Sequence, residues 1–226
     1  MDADDVNAYG QFCPISRALE VLGERWSLLI VRDLLCGANR FNDLARCNPR
    51  LSRTLLTKRL RQLERAGIVE HVGDQYLLTP AGKELEPVVF GIGAWGAKWQ
   101  FDDPRDSELD PQLLMWWVHT RLDFSDVPVP RVVFEFRFSD VAERYWILHD
   151  TQGPSVCTFD PGFGIDAMIE SDLSSLYEVW LGKLDLRAAI RTGRVKVTGS
   201  TPIVRRLPDI FELSHIAGLV ASVDHA

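Results

Sequence analysis

The sequence predicts an α+β protein in two parts: helices with one short hairpin first, then a mixed sheet with helices. Three observations predict it. Through most of residues 14–99, apolar residues recur every three or four positions, the spacing of one helix face. At Val132, Phe134, Phe136 and Phe138 the period falls to two, alternating with Val133, Glu135 and Arg137, as in a strand with one buried face. Between the halves, Asp102 to Pro111 is acidic, carries prolines and is nearly free of apolar residues, the composition of a linker. The boundaries read this way are 1–101, a linker at 102–111, and 112–226.

In the first half, residues 14–38 hold two helical runs broken at Gly23: Ile15, Ala18, Leu19 and Leu22 line one, and Trp26, Leu29, Ile30, Asp33 and Leu34 the next. Phe41, Leu44 and Ala45 anchor a short helix, and Asn48-Pro49-Arg50 make a turn. A longer helix spans Ser52 to Ala66, with Leu56, Leu60 and Leu63 as its buried stripe and Leu55 on the margin. Ser52 supplies the N-terminal cap and Gly67 the C-terminal one. Ile68 to Val72 and Tyr76 to Leu78 form a hairpin around Gly73-Asp74. Thr79-Pro80 then opens a helix running to Trp99. Its glycines 91, 93 and 96 each cost about 1 kcal/mol against alanine. They suit the close approach of another backbone, either in a dimer or within the domain.

The order helix, helix, short helix, long helix, hairpin, helix is a winged helix-turn-helix. The exposed face of the long helix supports a function for it. Arg53, Thr54, Thr57, Lys58 and Arg61 stand opposite the leucines with no carboxylate among them. Cations and small hydroxyls suit a major groove, where they meet phosphates and base edges. From Arg40 to Arg65, eight Arg or Lys face two acids, a local +6 on a chain whose net charge is −7. A positive patch on an acidic protein is a focused field. Arg40 and Arg50 flank the helix and complete the candidate DNA-binding set with Arg53, Thr54, Thr57, Lys58 and Arg61. The other reading is a solvated helix face.

The second half continues with a helix marked by Leu113, Leu114, Trp117 and Arg121. The strand of Val132 to Phe138 follows, then a partner at Tyr145 to His149 and further strands at 155–159 and 163–169. Asp172 caps a helix carrying Leu173, Leu176, Tyr177 and Trp180; Asp185 caps another; Arg194 to Thr198 alternates again; and Pro202 opens a last helix through Ile203, Leu207 and Phe211.

Composition bounds the rest. With 226 residues, 46% hydrophobic and 25% charged, the chain is an ordinary globular protein. No run of 18 apolar residues occurs, so no membrane partner is expected. The acidic start, MDADDVNAYG, lacks the basic and apolar regions of a secretory signal. Cysteines 13, 36, 47 and 157 are scattered, and histidines 71, 119, 149, 215 and 225 have no metal spacing. The expectation is therefore a cytoplasmic protein with no metal and no cofactor. Gly-x-Ser-x-Gly, phosphate-loop and His-Glu-x-x-His motifs are absent, so no catalytic residue is assigned and no enzyme is expected.

Two resemblances sharpen this. Cys13-Pro14, Leu22-Gly23-Glu24-Arg25-Trp26, Arg40-Phe41-Asn42-Asp43-Leu44, Leu56-Thr57-Lys58-Arg59-Leu60 and Leu78-Thr79-Pro80-Ala81-Gly82 together resemble the HxlR-type transcriptional regulators of bacteria over about residues 10–100. The resemblance implies a homodimer, formed by helices at about 14–22 and 80–99, that binds double-stranded operator DNA. In place of the family's usual basic wing residue stands Glu70-His71. Some members of that family sense oxidants or electrophiles through a cysteine near the position of Cys13. Cys13 also precedes a helix, whose N-terminus lowers a thiol pKa; the alternative is a half-buried structural thiol.

The second half, from Asp172 to Gly182 and through Gly193-Arg194-Val195-Lys196-Val197-Thr198-Gly199, resembles the sterol-carrier-protein fold. That implies an apolar small molecule or lipid in a pocket, with Trp117, Phe136, Trp146, Met168 and Trp180 as candidate lining; their other reading is ordinary core. Three functions follow: a regulator modulated by an apolar ligand, a redox-sensing regulator acting through Cys13, or a lipid-binding module whose first half only mediates protein contacts.

Overall fold

The computed structural model describes residues 8–127 and 130–222. Met1 to Asn7, on which part of the signal-peptide reading falls, and His225 lie outside the described residues. The chain divides into two compact units, Met1–Ile92 and Gly93–Ala226.

The first unit begins with α1 (Pro14–Leu22), α2 (Ser27–Leu35), α3 (Phe41–Cys47) and α4 (Arg53–Arg65). Strands β1 (Val69–Val72) and β2 (Gln75–Leu78) then pair antiparallel, with Val72 opposite Gln75 and Gly73-Asp74 as the two-residue loop. Gly73 takes a φ of 63°, which such a loop requires. Ile30, Leu44, Leu56, Leu60 and Leu63, each at most 1% exposed, form the centre of the core. Trp26 is not a helical position: it caps α2 with a left-handed φ of 83°. A non-glycine residue held there stores strain, about 1–2 kcal/mol.

The single helix expected from Thr79 to Trp99 is two. The Thr79 hydroxyl accepts from the Gly82 amide and caps one turn, α5 (Pro80–Lys83); α6 (Glu86–Trp99) then starts afresh. Pro87 explains the break, because it has no amide to donate to Lys83 and its ring clashes with that carbonyl. Of the three α6 glycines, a β-carbon at Gly91 or Gly96 would meet nothing within 4 Å. At Gly93 it would stand 3.0 Å from Leu219, so that glycine serves packing within the second unit.

The second unit contains α7 (Pro111–His119), β3 (Val132–Phe138), β4 (Arg144–Asp150), β5 (Gly153–Cys157), β6 (Ala167–Ser171), α8 (Leu173–Trp180), α9 (Leu186–Thr192), β7 (Val195–Gly199), α10 (Thr201–Ile210) and α11 (Ala217–Ala221). The strands form one sheet in the order β5-β4-β3-β6-β7. Only β3 and β6 pair in parallel; the other neighbours are antiparallel. The strands expected at 155–159 and 163–169 are displaced to 153–157 and 167–171. Asp160 accepts from the Gly162 amide and makes Asp160-Pro161-Gly162 a turn, so neither strand extends into it. Asp172 and Asp185 cap α8 and α9 by accepting from Ser175 and Ala188 amides, each at 2.7 Å. Phe134, Phe136, Tyr145, Ile147 and Ile169 face the helices and build the core with Leu114, Leu176, Trp180 and Leu207.

Candidate nucleic-acid interface

The second helix of the helix-turn-helix, α4, presents its polar face as the leucine stripe requires. Arg53, Thr54, Lys58 and Arg61 are exposed and Thr57 is half-buried. Ser52 Oγ accepts from the Leu55 amide at 3.3 Å and fixes the helix start. Arg53 donates to Asn42 Oδ1 at 3.1 Å, and its guanidinium lies 5.5 Å from the Phe41 ring centroid. This holds the cation at the junction of α3 and α4, beside a shallow groove lined by Asn42, Arg46, Pro49 and Ser52. The Thr57 hydroxyl donates to the Arg53 carbonyl at 2.9 Å, so part of its hydrogen-bonding capacity is used within the helix.

Not all of the local positive charge is free to act outward. Arg59 is 7% exposed. It pairs with Glu24 at 2.6 Å, donates to the Arg25 carbonyl at 3.0 Å and to Gln62 at 2.6 Å. It is therefore a strut between α4 and the turn before α2. Arg46 lies 3.6 Å from Asp43. Arg40 is exposed but ion-pairs with Asp74 at the wing tip, 3.4 Å away. The wing is held there by an Arg40–Gln75 bridge and by the Tyr76 amide donating to the Asn39 carbonyl. Arg50 is exposed just before the helix.

Sequence reasoning passed over the groups that hold this face in place. Asp33, read only as a marker of α2, is 3% exposed and accepts from Arg32 at 2.6 and 2.9 Å and from Asn48 at 2.5 Å. Burial raises its carboxyl pKa against the opposing pull of Arg32 and Asn48. An acid on the inner face of α2, in register with Ile30 and Leu34, is the signal that could have found it.

Cys13 stands at the N-cap of α1. The backbone amides of Ser16 and then Ile15 lower its thiol pKa. The five candidate pocket residues do not share one surface. Phe136 and Trp180 fill the core against the helices, with Trp117 packed beside them. Trp146 and Met168 both register with Glu135, on the opposite face of the sheet. The alternation of β3 puts Phe136 and Glu135 on opposite sides, so no single cavity is lined by all five. Glu135 itself is 1% exposed and bound by Arg137 at 2.7 Å. Among the described residues, no group of three or more acids, histidines or cysteines could hold a metal, and no helix is long and apolar enough to cross a membrane.

The helix pair, the following hairpin and an outer face on the second helix that carries Arg53, Lys58 and Arg61 define a winged helix-turn-helix protein. Residues 21–103 match the HxlR-like helix-turn-helix family. Over 97 residues the chain is 36% identical to the HTH-type transcriptional regulator YvaP of Bacillus subtilis, spanning 39% of this chain and 90% of that one. Over 95 residues it is 32% identical to the HTH-type transcriptional regulator YdeP of the same organism, spanning 39% and 74%. The crystal structure of quinone-bound YodB from B. subtilis is 35% identical, covering 38% of this chain and 100% of that one, with a TM-score of 0.37. The chain belongs, through its N-terminal part, to the HxlR-like helix-turn-helix family of transcriptional regulators.

Proposed function

We propose that this protein binds duplex operator DNA as a homodimer, with α4 of each subunit in a major groove. The observation that carries the reading is the outer face of α4: Arg53, Thr54, Lys58 and Arg61 are exposed together, with the half-buried Glu64 the one carboxylate of the helix. The buried leucines on the other side fix that face outward. The wing contributes little cation, since Asp74 neutralises Arg40 and Glu70 is exposed.

The homodimer reading is supported by exposed large apolar residues on the two helices that the family uses. On α6, Val88, Ile92, Trp95 and Trp99 form a stripe at helical spacing, 46–61% exposed; beside and on α1, Phe12, Ile15 and Leu19 are exposed. A contiguous apolar stripe on a soluble protein marks a surface that another chain covers. Two recognition helices related by a two-fold axis would then meet half-sites about 34–36 Å apart.

For the second unit we propose a sterol-carrier-protein-like role, holding an apolar small molecule between the sheet and its helices. Phe136, Trp180 and Trp117 are the candidate contacts on that side, and 102–111 is the proposed linker before the domain. A second reading, redox or electrophile sensing, is favoured by one observation: Cys13 combines a helix N-terminus with a lowered thiol pKa. YodB, a relative, has been solved with quinone bound.

The deciding experiment is fluorescence anisotropy on duplex fragments of the DNA upstream of the protein's own gene. Binding should weaken steeply as salt rises from about 50 to about 200 mM. Protein that ignores duplex DNA even at the lower salt would overturn the reading. Decanoate or an oxidant that releases DNA separates the two regulatory readings, and a Cys13→Ser protein that still responds to oxidant removes the second.

A further inference from the structure

We infer that Asp33 and Asn48 are positioning residues for the DNA-reading helix, a hydrogen-bonded strut that sets the angle at which α4 leaves the turn. The inference rests on duplex binding by α4. Asn48 is the C-cap of α3 and is 3% exposed. Its side-chain amide has two hydrogens, and both are used: one goes to Asp33 Oδ2 at 2.5 Å, the other to the Leu44 carbonyl at 3.0 Å. Its own carbonyl accepts from the Leu51 amide at 2.9 Å. Ser52, the cap of α4, follows immediately. The side chain thus joins α2 to α3, and the backbone carbonyl of the same residue holds the turn that leads into α4.

Packing does not require this arrangement. Burying a carboxylate costs free energy that its partners only return, and well-packed apolar groups of similar volume are often at least as stable. What a buried polar contact adds is direction, because a hydrogen bond constrains angle as well as distance. Farther along α4 the Arg59–Glu24 ion pair, 2.6 Å, holds the middle of the helix to the turn before α2. The leucine stripe allows the helix to rock about its packing line; two polar anchors near its start and middle remove that freedom. Asp33, Asn48 and Arg59 are buried, so their effect on DNA passes through the placement of Arg53, Lys58 and Arg61.

The experiment compares the full-length protein with Asp33→Asn, Asn48→Asp, Asn48→Ala and the double variant Asp33→Asn/Asn48→Asp. It measures affinity for the upstream duplex, the slope of log affinity against log salt, and thermal melting. Asp33→Asn keeps an acceptor for Asn48 and should bind within about threefold of the parent. Asn48→Asp sets two carboxylates against each other; it should bind about tenfold or more weakly, with a shallower slope, since each phosphate left unneutralised removes about 0.9. The double variant restores the donor–acceptor pair between positions 33 and 48 but not the bond to the Leu44 carbonyl, so it should bind more tightly than Asn48→Asp and less tightly than Asp33→Asn.

The slope separates positioning from stability, because a smaller folded fraction lowers affinity without changing the number of phosphates met. Should Asn48→Asp fail to fold, Asn48→Ala carries the test with the same expected change of slope. A folded Asn48 variant with parental affinity and slope would overturn the inference, as would a double variant no better than Asn48→Asp. If the parent itself does not bind duplex, the reading of α4 fails instead.

Discussion

Lys58 and Arg59 are adjacent cations that the structure places in opposite surroundings. Lys58 is exposed on the outer face of α4, whereas Arg59 is 7% exposed and makes three polar contacts, at 2.6, 3.0 and 2.6 Å. Replacing Lys58 by alanine should leave thermal stability within about 0.5 kcal/mol, as for other surface substitutions. It should weaken duplex binding and lower the salt slope by about 0.9 for each phosphate that Lys58 neutralises, twice that in a dimer. Replacing Arg59 by alanine removes the 2.6 Å ion pair to Glu24 and the hydrogen bond to the Arg25 carbonyl. Full burial of such a pair would make the cost about 3–5 kcal/mol. Glu24 is 32% exposed on its side chain, so water recovers part of the interaction, and about 3 kcal/mol is expected. For a unit of this size that is a fall of roughly 15 °C in Tm. Differential scanning calorimetry and anisotropy titrations at several salt concentrations measure both effects. A large drop in Tm for Lys58→Ala, with none for Arg59→Ala, would refute the assignment of strut and DNA-facing cation.

Three further outcomes are expected. Asp74→Ala releases Arg40 from its 3.4 Å partner, so duplex affinity should rise and the salt slope steepen by about 0.9 per subunit in anisotropy titrations. Gly82→Ala would place a β-carbon 2.2 Å from the Ile68 carbonyl oxygen and 3.0 Å from Leu78; the clash should destabilise the first unit by about 1–3 kcal/mol in chemical denaturation. Because helix amides lower the Cys13 pKa in the folded protein, its thiolate fraction should rise at lower pH than that of an ordinary cysteine. Iodoacetamide labelling followed by peptide mass spectrometry should give a rate midpoint below the ordinary thiol value near about 8.5, and unfolding in denaturant should move that midpoint up.

Much of the fold was readable because its signals are local. Ser52, Thr79, Asp172 and Asp185 cap the helices that their positions announced, since a cap joins residues three apart. The alternation of β3 placed Phe134, Phe136 and Phe138 on a buried face, but the expectation of a single buried face fails, since Val133 and Glu135 on the other side are each 1% exposed. The misreadings came where two local signals compete. The apolar period runs unbroken through residues 85–99, but Pro87 forbids one continuous helix from Thr79. The strands at either side of Asp160-Pro161-Gly162 were placed too near the turn, because Phe159 and Phe163 look like strand residues although both are exposed.

By itself, the sequence determined the helix-turn-helix order, the leucine stripe of α4 and therefore which of its residues face out. Those follow from periodicity and capping, which act within a few residues. Tertiary structure alone decided which cations are ion-paired, Arg59 inside with Glu24 and Arg40 at the surface with Asp74, and that Trp146 and Phe136 lie on opposite faces of one sheet. It also decided that Asp33 reaches Asn48, 15 residues away. The physical reason is that ion pairs and buried hydrogen bonds depend on distances of a few ångströms between segments remote in the chain. No period or composition encodes such distances.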